Sequence, residues 1–188
     1  MPIVEAHVLK GYAPEEKSRL TRALTDAVRF VVPAPDDAIT VMLHEYPKEA
    51  YARGGAHRDP APARRDPREI VQDYLAAMEA RDLDRAEAHL GAEFEMVFPG
   101  SHSMKTLTEL IDWAKGRYRF VKKTMDGIEA FQAGGTSVVF VRGTLAGEWP
   151  DGRPFSKIRF VDRFEVVDGK ITRQDVWNDL GEARGAHA

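Results

Sequence analysis

A proline-rich segment divides this 188-residue chain into two pieces. Residues 54–67 read GGAHRDPAPARRDP, with three prolines, paired glycines and no aliphatic residue larger than alanine. Such a segment cannot contribute apolar side chains to a core, and its prolines stiffen it as a spacer. We therefore predict two domains, residues 1–55 and residues 68–188, joined by a linker at residues 56–67.

The first domain has the periodicity of one β-α-β unit. Apolar and polar residues alternate over residues 3–9 and 39–44, and apolar residues recur at helical spacing from Leu20 to Val31. Pro33 and Pro35 end the helix. A crossover helix implies that the two strands are parallel, and a two-stranded sheet is marginally stable alone. We expect this unit to oligomerise or to pack against the second domain.

The second domain begins with helical patterns and continues with strands. Apolar spacing predicts helices over residues 70–78, 83–90 and 107–114, then strands at 94–98 and around residues 128, 139, 160 and 176. Turn signals at residues 150–153 and 168–170 predict antiparallel hairpins. The whole chain is therefore predicted to be α+β, with a pocket between the helices and a curled antiparallel sheet of the second domain.

Composition excludes several functional classes. The chain has no cysteine, which removes thiolate nucleophiles and cysteine-based metal sites. Its net charge of −3 predicts no binding to nucleic acid. The six histidines lack metal-ligand spacing, so we expect no metal and no cofactor. No membrane span or signal-peptide pattern is present, which predicts a cytoplasmic protein that acts on a small molecule.

Pro2 is a candidate catalytic residue. If Met1 is removed, as a compact second residue favours, Pro2 carries a secondary amine. An amino-terminal amine has a pKa near about 8 and burial lowers it, so this amine can be a neutral general base. The other interpretation is that proline stands second by chance.

The residues around Pro2 form a longer pattern. It comprises PIVEAHVLKG at residues 2–11, the following helix, AP at 34–35, VMLHE at 41–45, Lys48 and GG at 54–55. This pattern resembles the 4-oxalocrotonate tautomerase family over residues 2–55. The resemblance implies a β-α-β subunit, usually assembled as a hexamer, in which Pro2 moves a proton between the carbons of an enol or dienol acid.

Two positions depart from that family's pattern. The arginines that hold substrate carboxylates in the family correspond here to Tyr12 and Thr40. Their loss removes bidentate carboxylate recognition, so we expect a substrate less acidic than a dicarboxylate. The aromatic wall of the pocket aligns with Tyr51. Arg53 either compensates in part for the lost arginines or is an ordinary solvated arginine.

Asp162 lies in the middle of an apolar strand face. The other residues of that face are Ile158, Phe160, Phe164 and Val166. Burying a carboxylate is costly unless it is paired or protonated, so Asp162 is either a satisfied structural residue or part of a functional site. Tyr74, on the apolar face of the domain's first helix, is either a core tyrosine or directs its hydroxyl into the same cavity.

The second domain contains five short motifs that together form a pattern. They are DYLAA at residues 73–77, DLD at 82–84, FPG at 98–100, VDRF at 161–164 and DGKI at 168–171. Residues 68–181 thereby resemble the cone-shaped α+β fold shared by nuclear transport factor 2, ketosteroid isomerase and SnoaL-like polyketide cyclases. The resemblance to the isomerases implies that Tyr74 and a protonated Asp162 donate hydrogen bonds to a developing enolate.

The catalytic base of the steroid isomerases would fall at Phe98, which cannot accept a proton. The candidates to replace it are Glu95, His102 and Asp179. Phe94, Met96 and Phe98 alternate along one strand face and predict an apolar cavity, which Asn178 is expected to reach. Lys122 and Lys123 are interpreted as a solvated strand edge.

Two hypotheses of function follow. In the first, the chain is a tautomerase that uses Pro2 as acid and base on a small carbonyl compound, and its second domain binds an apolar carbonyl ligand. In the alternative, a non-catalytic ligand-binding module stands on a tautomerase-like oligomerisation platform. Both predict a homo-oligomer, as a dimer, trimer or hexamer.

Overall fold

A computed structural model describes residues 2–185, and the chain forms two compact units, Met1–Ala63 and Arg64–Ala188. We call them unit 1 and unit 2. No helix within the described residues is long and apolar enough to span a lipid bilayer.

Unit 1 is the predicted β-α-β unit with a short hairpin added. Its elements are β1 (Ile3–Leu9), α1 (Pro14–Val31), β2 (Thr40–Tyr46), β3 (Ala52–Arg53) and β4 (Ala56–His57). Strands β1 and β2 are parallel, with Ile3 opposite Thr40 and Leu9 opposite Tyr46. Pro14 begins the helix, where its missing N–H costs nothing, and the Glu16 carboxylate accepts a hydrogen bond of 2.7 Å from the Ala13 N–H.

Unit 1 continues past the predicted domain end at residue 55. Strand β4 pairs with β3, and Lys48 Nζ lies 3.1 Å from a carboxylate oxygen of Asp59. Pro60 packs so closely on Gly11 that a Cβ there would stand 3.0 Å from Pro60 Cγ, and Gly11 has a φ of +138°. Proline-rich sequence therefore joins this unit through backbone pairing and surface contacts instead of apolar burial.

The core of unit 1 is thin. Among residues 2–63, only Ile39 is buried. Phe30 and Val31, at the end of α1, remain 92% and 79% exposed, and Ile3 on the open face of the sheet is 60% exposed. One helix can cover only one face of a two-stranded sheet, which leaves the other face in solvent.

Unit 2 contains helices followed by long strands. Its elements are α2 (Pro67–Glu79), α3 (Leu83–Glu87), β5 (Leu90–Val97), α4 (Leu107–Ala114), β6 (Phe120–Ala133), β7 (Thr136–Glu148), β8 (Pro154–Val167), β9 (Lys170–Asn178) and α5 (Leu180–Gly185). The Asp66 carboxylate caps α2 by accepting from the Arg68 N–H at 2.9 Å, and the Thr106 hydroxyl caps α4 in the same way.

The five strands form one curved sheet in the order β5-β9-β8-β7-β6. The hairpins predicted at residues 150–153 and 168–170 are confirmed, since β7 pairs with β8 and β8 with β9 in antiparallel register. The predicted antiparallel sheet is confirmed for β6 to β9, and β5 adds a parallel strand at its edge, beside β9. The second predicted helix is also shorter than expected, because Leu90 begins β5 instead of ending α3.

The core of unit 2 lies between the helices and one face of this sheet. Its most deeply buried apolar side chains include Ile70, Val71, Leu107, Val139 and Phe164. Full burial of each such side chain stabilises the fold by about 1.5–3 kcal/mol, which makes this core the main source of stability in unit 2.

Candidate functional site

The carboxylate of Asp162 is completely buried, as the alternation along β8 predicts. Its relative exposure is 0%, and its neighbours on that face, Phe160 and Phe164, are buried with it. A charged group in such surroundings needs a partner. The structure supplies one from another strand.

Lys123 of β6 forms an ion pair with Asp162 Oδ2. The ammonium group of Lys123 also lies 4.6 Å from the centre of the Phe160 ring. The interpretation of Lys122 and Lys123 as a strand edge is correct, since β6 is an edge strand and Lys122 is exposed, but the expectation that Lys123 is solvated is wrong, because its side chain is only 25% exposed. The buried carboxyl group of Asp162 therefore has a cationic partner in this structure.

Tyr74 reaches this pair through Gln174. The Tyr74 hydroxyl donates to Gln174 Oε1 at 3.2 Å, and Gln174 Nε2 donates to Asp162 Oδ2 at 3.4 Å. Burial, with a contribution from the charge of Asp162, raises the pKa of Tyr74, so its hydroxyl remains a hydrogen-bond donor. Asp162 Oδ1 has no hydrogen-bond partner within the described part of the chain.

A cavity of about 490 Å³ opens beside this network. Its wall is formed mainly by α2, α4 and β6, and includes Tyr74, Phe98, Lys123 and Gln174. Its apolar lining includes Leu75, Met78, Leu110, Ile111, Val121 and Met125. Polar and charged residues also line it, namely Gln72, Glu79, Arg81, Lys115, Tyr118 and Arg119. This size and lining are typical of a small-molecule site.

Three residues predicted for this cavity lie elsewhere. Phe94 and Met96 are buried in the core and do not belong to the cavity wall. Asn178 lines a neighbouring cleft of about 340 Å³ with Trp113 and Tyr118, and its side-chain oxygen accepts from the Leu180 N–H at 3.2 Å. Tyr118 lines both hollows, so the cleft adjoins the cavity, but Asn178 opens only on the cleft.

None of the three candidate replacement bases lies in the cavity wall. Glu95 is 3.5 Å from Arg173, Asp179 is 2.6 Å from Arg159, and His102 is exposed. Glu79 is the one carboxylate among the described residues of the wall.

Unit 1 brings Pro2 next to Thr40. The Thr40 N–H donates to the Pro2 carbonyl at 3.1 Å, and both residues are half-buried. Tyr12 follows the end of β1 that is farther from Pro2. The seven residues of β1 span about 23 Å at about 3.3 Å per residue. Thr40 begins β2, whereas Tyr51 and Arg53 come after its other end. The Tyr51 hydroxyl and the Arg53 guanidinium are 3.5 Å apart. A single chain therefore does not gather the predicted site.

Family comparisons agree with this division of the chain. Residues 71–174 match the family model of the SnoaL-like domain, and residues 2–57 match that of the tautomerase enzymes. A 2-hydroxymuconate tautomerase of Stutzerimonas stutzeri is 34% identical over 55 residues, which are 29% of this chain and 87% of that protein. The chain belongs to the tautomerase family in unit 1 and to the SnoaL-like family in unit 2.

A second relative of the tautomerase unit is a probable tautomerase of Bacillus cereus, 38% identical over 55 residues, or 29% of this chain and 90% of that protein. These matches place the chain among isomerase/tautomerase enzymes.

Solved structures confirm the fold of the SnoaL-like unit. An NTF2-like protein of Burkholderia thailandensis has a TM-score of 0.53 at 22% identity, covering 66% of this chain and 99% of that one. A putative polyketide cyclase of Xanthomonas campestris has a TM-score of 0.51 at 20% identity, and the match covers 64% of this chain and 95% of that one.

Sequence reasoning missed Lys123 and Gln174 of the SnoaL-like unit. A signal for Lys123 was present, because Val121, Lys123 and Met125 alternate and all three line the cavity. Gln174 stands two residues before the buried Val176, on the same face of β9. Across the described residues, no group of three or more metal-binding side chains comes together.

Proposed function

We propose that the tautomerase unit catalyses keto-enol tautomerisation with Pro2 as its acid and base. The neutral amine of Pro2 accepts the hydroxyl proton of an enol, and the protonated amine then delivers a proton to the adjacent carbon, so the enzyme is unchanged. The observation that carries this proposal is the placement of Pro2 directly before β1, half-buried and fixed by its hydrogen bond from Thr40. Met1, which must be removed to free the amine, lies outside the described residues.

The substrate we propose is a small carbonyl compound that is less acidic than a dicarboxylate. Tyr12 and Thr40 offer hydroxyl groups where the resemblance implies arginines, and a hydroxyl binds a neutral oxygen without demanding a charged partner. Tyr51 with Arg53 completes the proposed set. Because these residues flank opposite ends of the parallel strands, the proposed site needs residues from a second copy of the chain.

Intact mass and a simple enol test the proposal. Protein lacking Met1 is expected to ketonise phenylenolpyruvate, and Pro2→Ala is expected to lose about 10²-fold or more of that rate. Pro33→Ala, at an exposed position after α1, is the matched control and keeps the wild-type rate. A Pro2→Ala protein as active as the wild type would contradict the assignment.

For the SnoaL-like unit we propose binding of an apolar carbonyl ligand in the 490 Å³ cavity. A binding role is favoured over isomerisation there because Phe98 occupies the wall and the proposed replacement bases lie outside it. This feature also supports the ligand-binding role that the alternative hypothesis gives to the SnoaL-like unit, in which the tautomerase-like unit is an oligomerisation platform. Calorimetry with 2-acetylnaphthalene tests the cavity, and rate measurements on phenylenolpyruvate separate the two candidates.

A further inference from the structure

The resemblance to steroid isomerases implies Tyr74 and Asp162 as the donors to a ligand oxygen, and neither is free for that role. The Tyr74 hydroxyl donates its proton to Gln174 at 3.2 Å. Asp162 is completely buried behind the cavity wall, and its Oδ2 is engaged by Lys123 and Gln174. Any oxygen of a ligand in this cavity must be recognised by another group.

Lys123 has the chemistry and the position to be that group. It lines the cavity and retains 25% exposure, whereas Asp162 behind it has none. An ammonium group carries three N–H donors, and the ion pair with Asp162 Oδ2 engages one of them. Contact with the Phe160 ring and the carboxylate holds the ammonium group in place before a ligand binds, so binding costs little side-chain entropy.

Other cations of the cavity wall are less suited to this role. Lys115 is 72% exposed and pairs with Asp112, and Arg119 is 58% exposed and pairs with Glu148. Arg81, the remaining cation among the described residues of the wall, is also exposed. Their hydrogen bonds to a ligand would compete with bulk water, whereas a hydrogen bond in a half-buried apolar site is stronger.

We propose that Lys123 is the specificity-determining donor of the SnoaL-like unit, which recognises the carbonyl or enolate oxygen of an apolar ligand, and that Asp162 is a positioning residue. The ligand class is an aromatic or polyketide-like compound with one acceptor oxygen at its end and an apolar body along α2 and α4. This inference rests on the ligand-binding role proposed above for the cavity.

Two probes that differ by one oxygen test the inference. Equilibrium dialysis measures the Kd of 2-acetylnaphthalene and of 2-ethylnaphthalene, and the ratio of these constants is the oxygen preference of the protein. Lys123→Met is expected to reduce this preference about tenfold, because a charge-assisted hydrogen bond is lost, with little change in the Kd of 2-ethylnaphthalene.

The controls isolate the ammonium group from the fold. Lys122→Met changes the exposed neighbouring lysine, which lies outside the cavity wall, and is the control that keeps the preference. Tyr74→Phe removes a hydroxyl of the wall and decides between Tyr74 and Lys123 as the donor: the preference is retained if Lys123 is the donor. Lys123→Met with Asp162→Leu removes both charges and avoids an unpaired buried carboxylate. Asp162→Asn is expected to lower the preference and leave the Kd of 2-ethylnaphthalene unchanged, which a merely structural role would not do.

The outcomes are distinct. If the double variant keeps the preference, or Tyr74→Phe loses it, Lys123 is not the donor. If the wild type binds both probes with equal affinity, the cavity binds apolar ligands and the recognition of oxygen is wrong. If it binds neither probe, the ligand-binding role of the cavity is overturned together with this inference.

Discussion

The buried carboxylate of Asp162 takes its partner from a strand that is not adjacent to its own. Lys123 lies on β6 and Asp162 on β8, with β7 between them. Sequence alternation predicts that Asp162 faces inward, since side chains alternate across a strand. It does not reveal which distant cation has a side chain long enough to reach the carboxylate.

Because of Tyr74, the stability of the SnoaL-like unit is expected to vary with pH in the alkaline range. Burial raises the pKa of Tyr74 in the folded state, so above about pH 10 the unfolded chain loses a proton that the folded chain keeps. The free energy of unfolding is therefore expected to fall as pH rises beyond that point. Urea unfolding at a series of pH values measures this slope.

Tyr74→Phe provides the comparison. This variant is expected to lower the free energy of unfolding by about 1 kcal/mol at neutral pH, because the hydrogen bond to Gln174 is lost. It is also expected to reduce the fall of that free energy with rising pH above about pH 10. Equal slopes in the two proteins would show that Tyr74 ionises normally.

At the scale of elements, the Lys123–Asp162 pair ties β6 to β8. Lys123→Met is expected to destabilise the unit by about 3–5 kcal/mol, because it leaves a buried charge unpaired. Adding Asp162→Leu is expected to restore most of that loss. Tryptophan fluorescence during urea unfolding reports on this unit alone, since Trp113, Trp149 and Trp177 all belong to it.

Lys122→Met is the matched control for that series. Its side chain is exposed, so its effect on the unfolding free energy is expected to stay within about 0.5 kcal/mol. A Lys123→Met protein no less stable than Lys122→Met would contradict the assignment of a strong buried pair.

The pairing of β6 with β7 depends on a glycine. A Cβ at Gly143 would lie 2.0 Å from the carbonyl oxygen of Thr124, a backbone atom that cannot rotate away. Gly143→Ala is expected to destabilise the SnoaL-like unit by about 1–3 kcal/mol in the same unfolding assay. Gly135→Ala, where a Cβ meets open space, is the control, and equal stability of the two variants would refute this steric account.

On the scale of the whole molecule, the two units differ in how much they bury. The SnoaL-like unit contains nearly all of the buried apolar side chains, whereas Ile39 is the buried residue of the tautomerase unit. A unit with so thin a core gains stability from association, because association removes apolar surface from water. The homo-oligomer remains a prediction.

Sedimentation analysis tests that prediction. The chain is expected to sediment at a multiple of its own mass, and Phe30→Ser is expected to weaken the assembly, because this ring is 92% exposed in the single chain. Asp26→Ser, one turn earlier on the same exposed stretch of α1, is the control and leaves the mass unchanged. A monomeric wild-type chain would contradict the prediction and the proposed shared site together.

The sequence by itself determined the local features of this protein. Periodicity and turn residues located the β-α-β unit, the two hairpins and the inward face of β8, because those depend on near neighbours. Only the tertiary structure decided that Lys123 pairs with Asp162, that Phe94 and Asn178 lie outside the cavity, and that β5 is parallel to β9. Those outcomes depend on strand order and on contacts between side chains far apart in the chain, which no local pattern encodes.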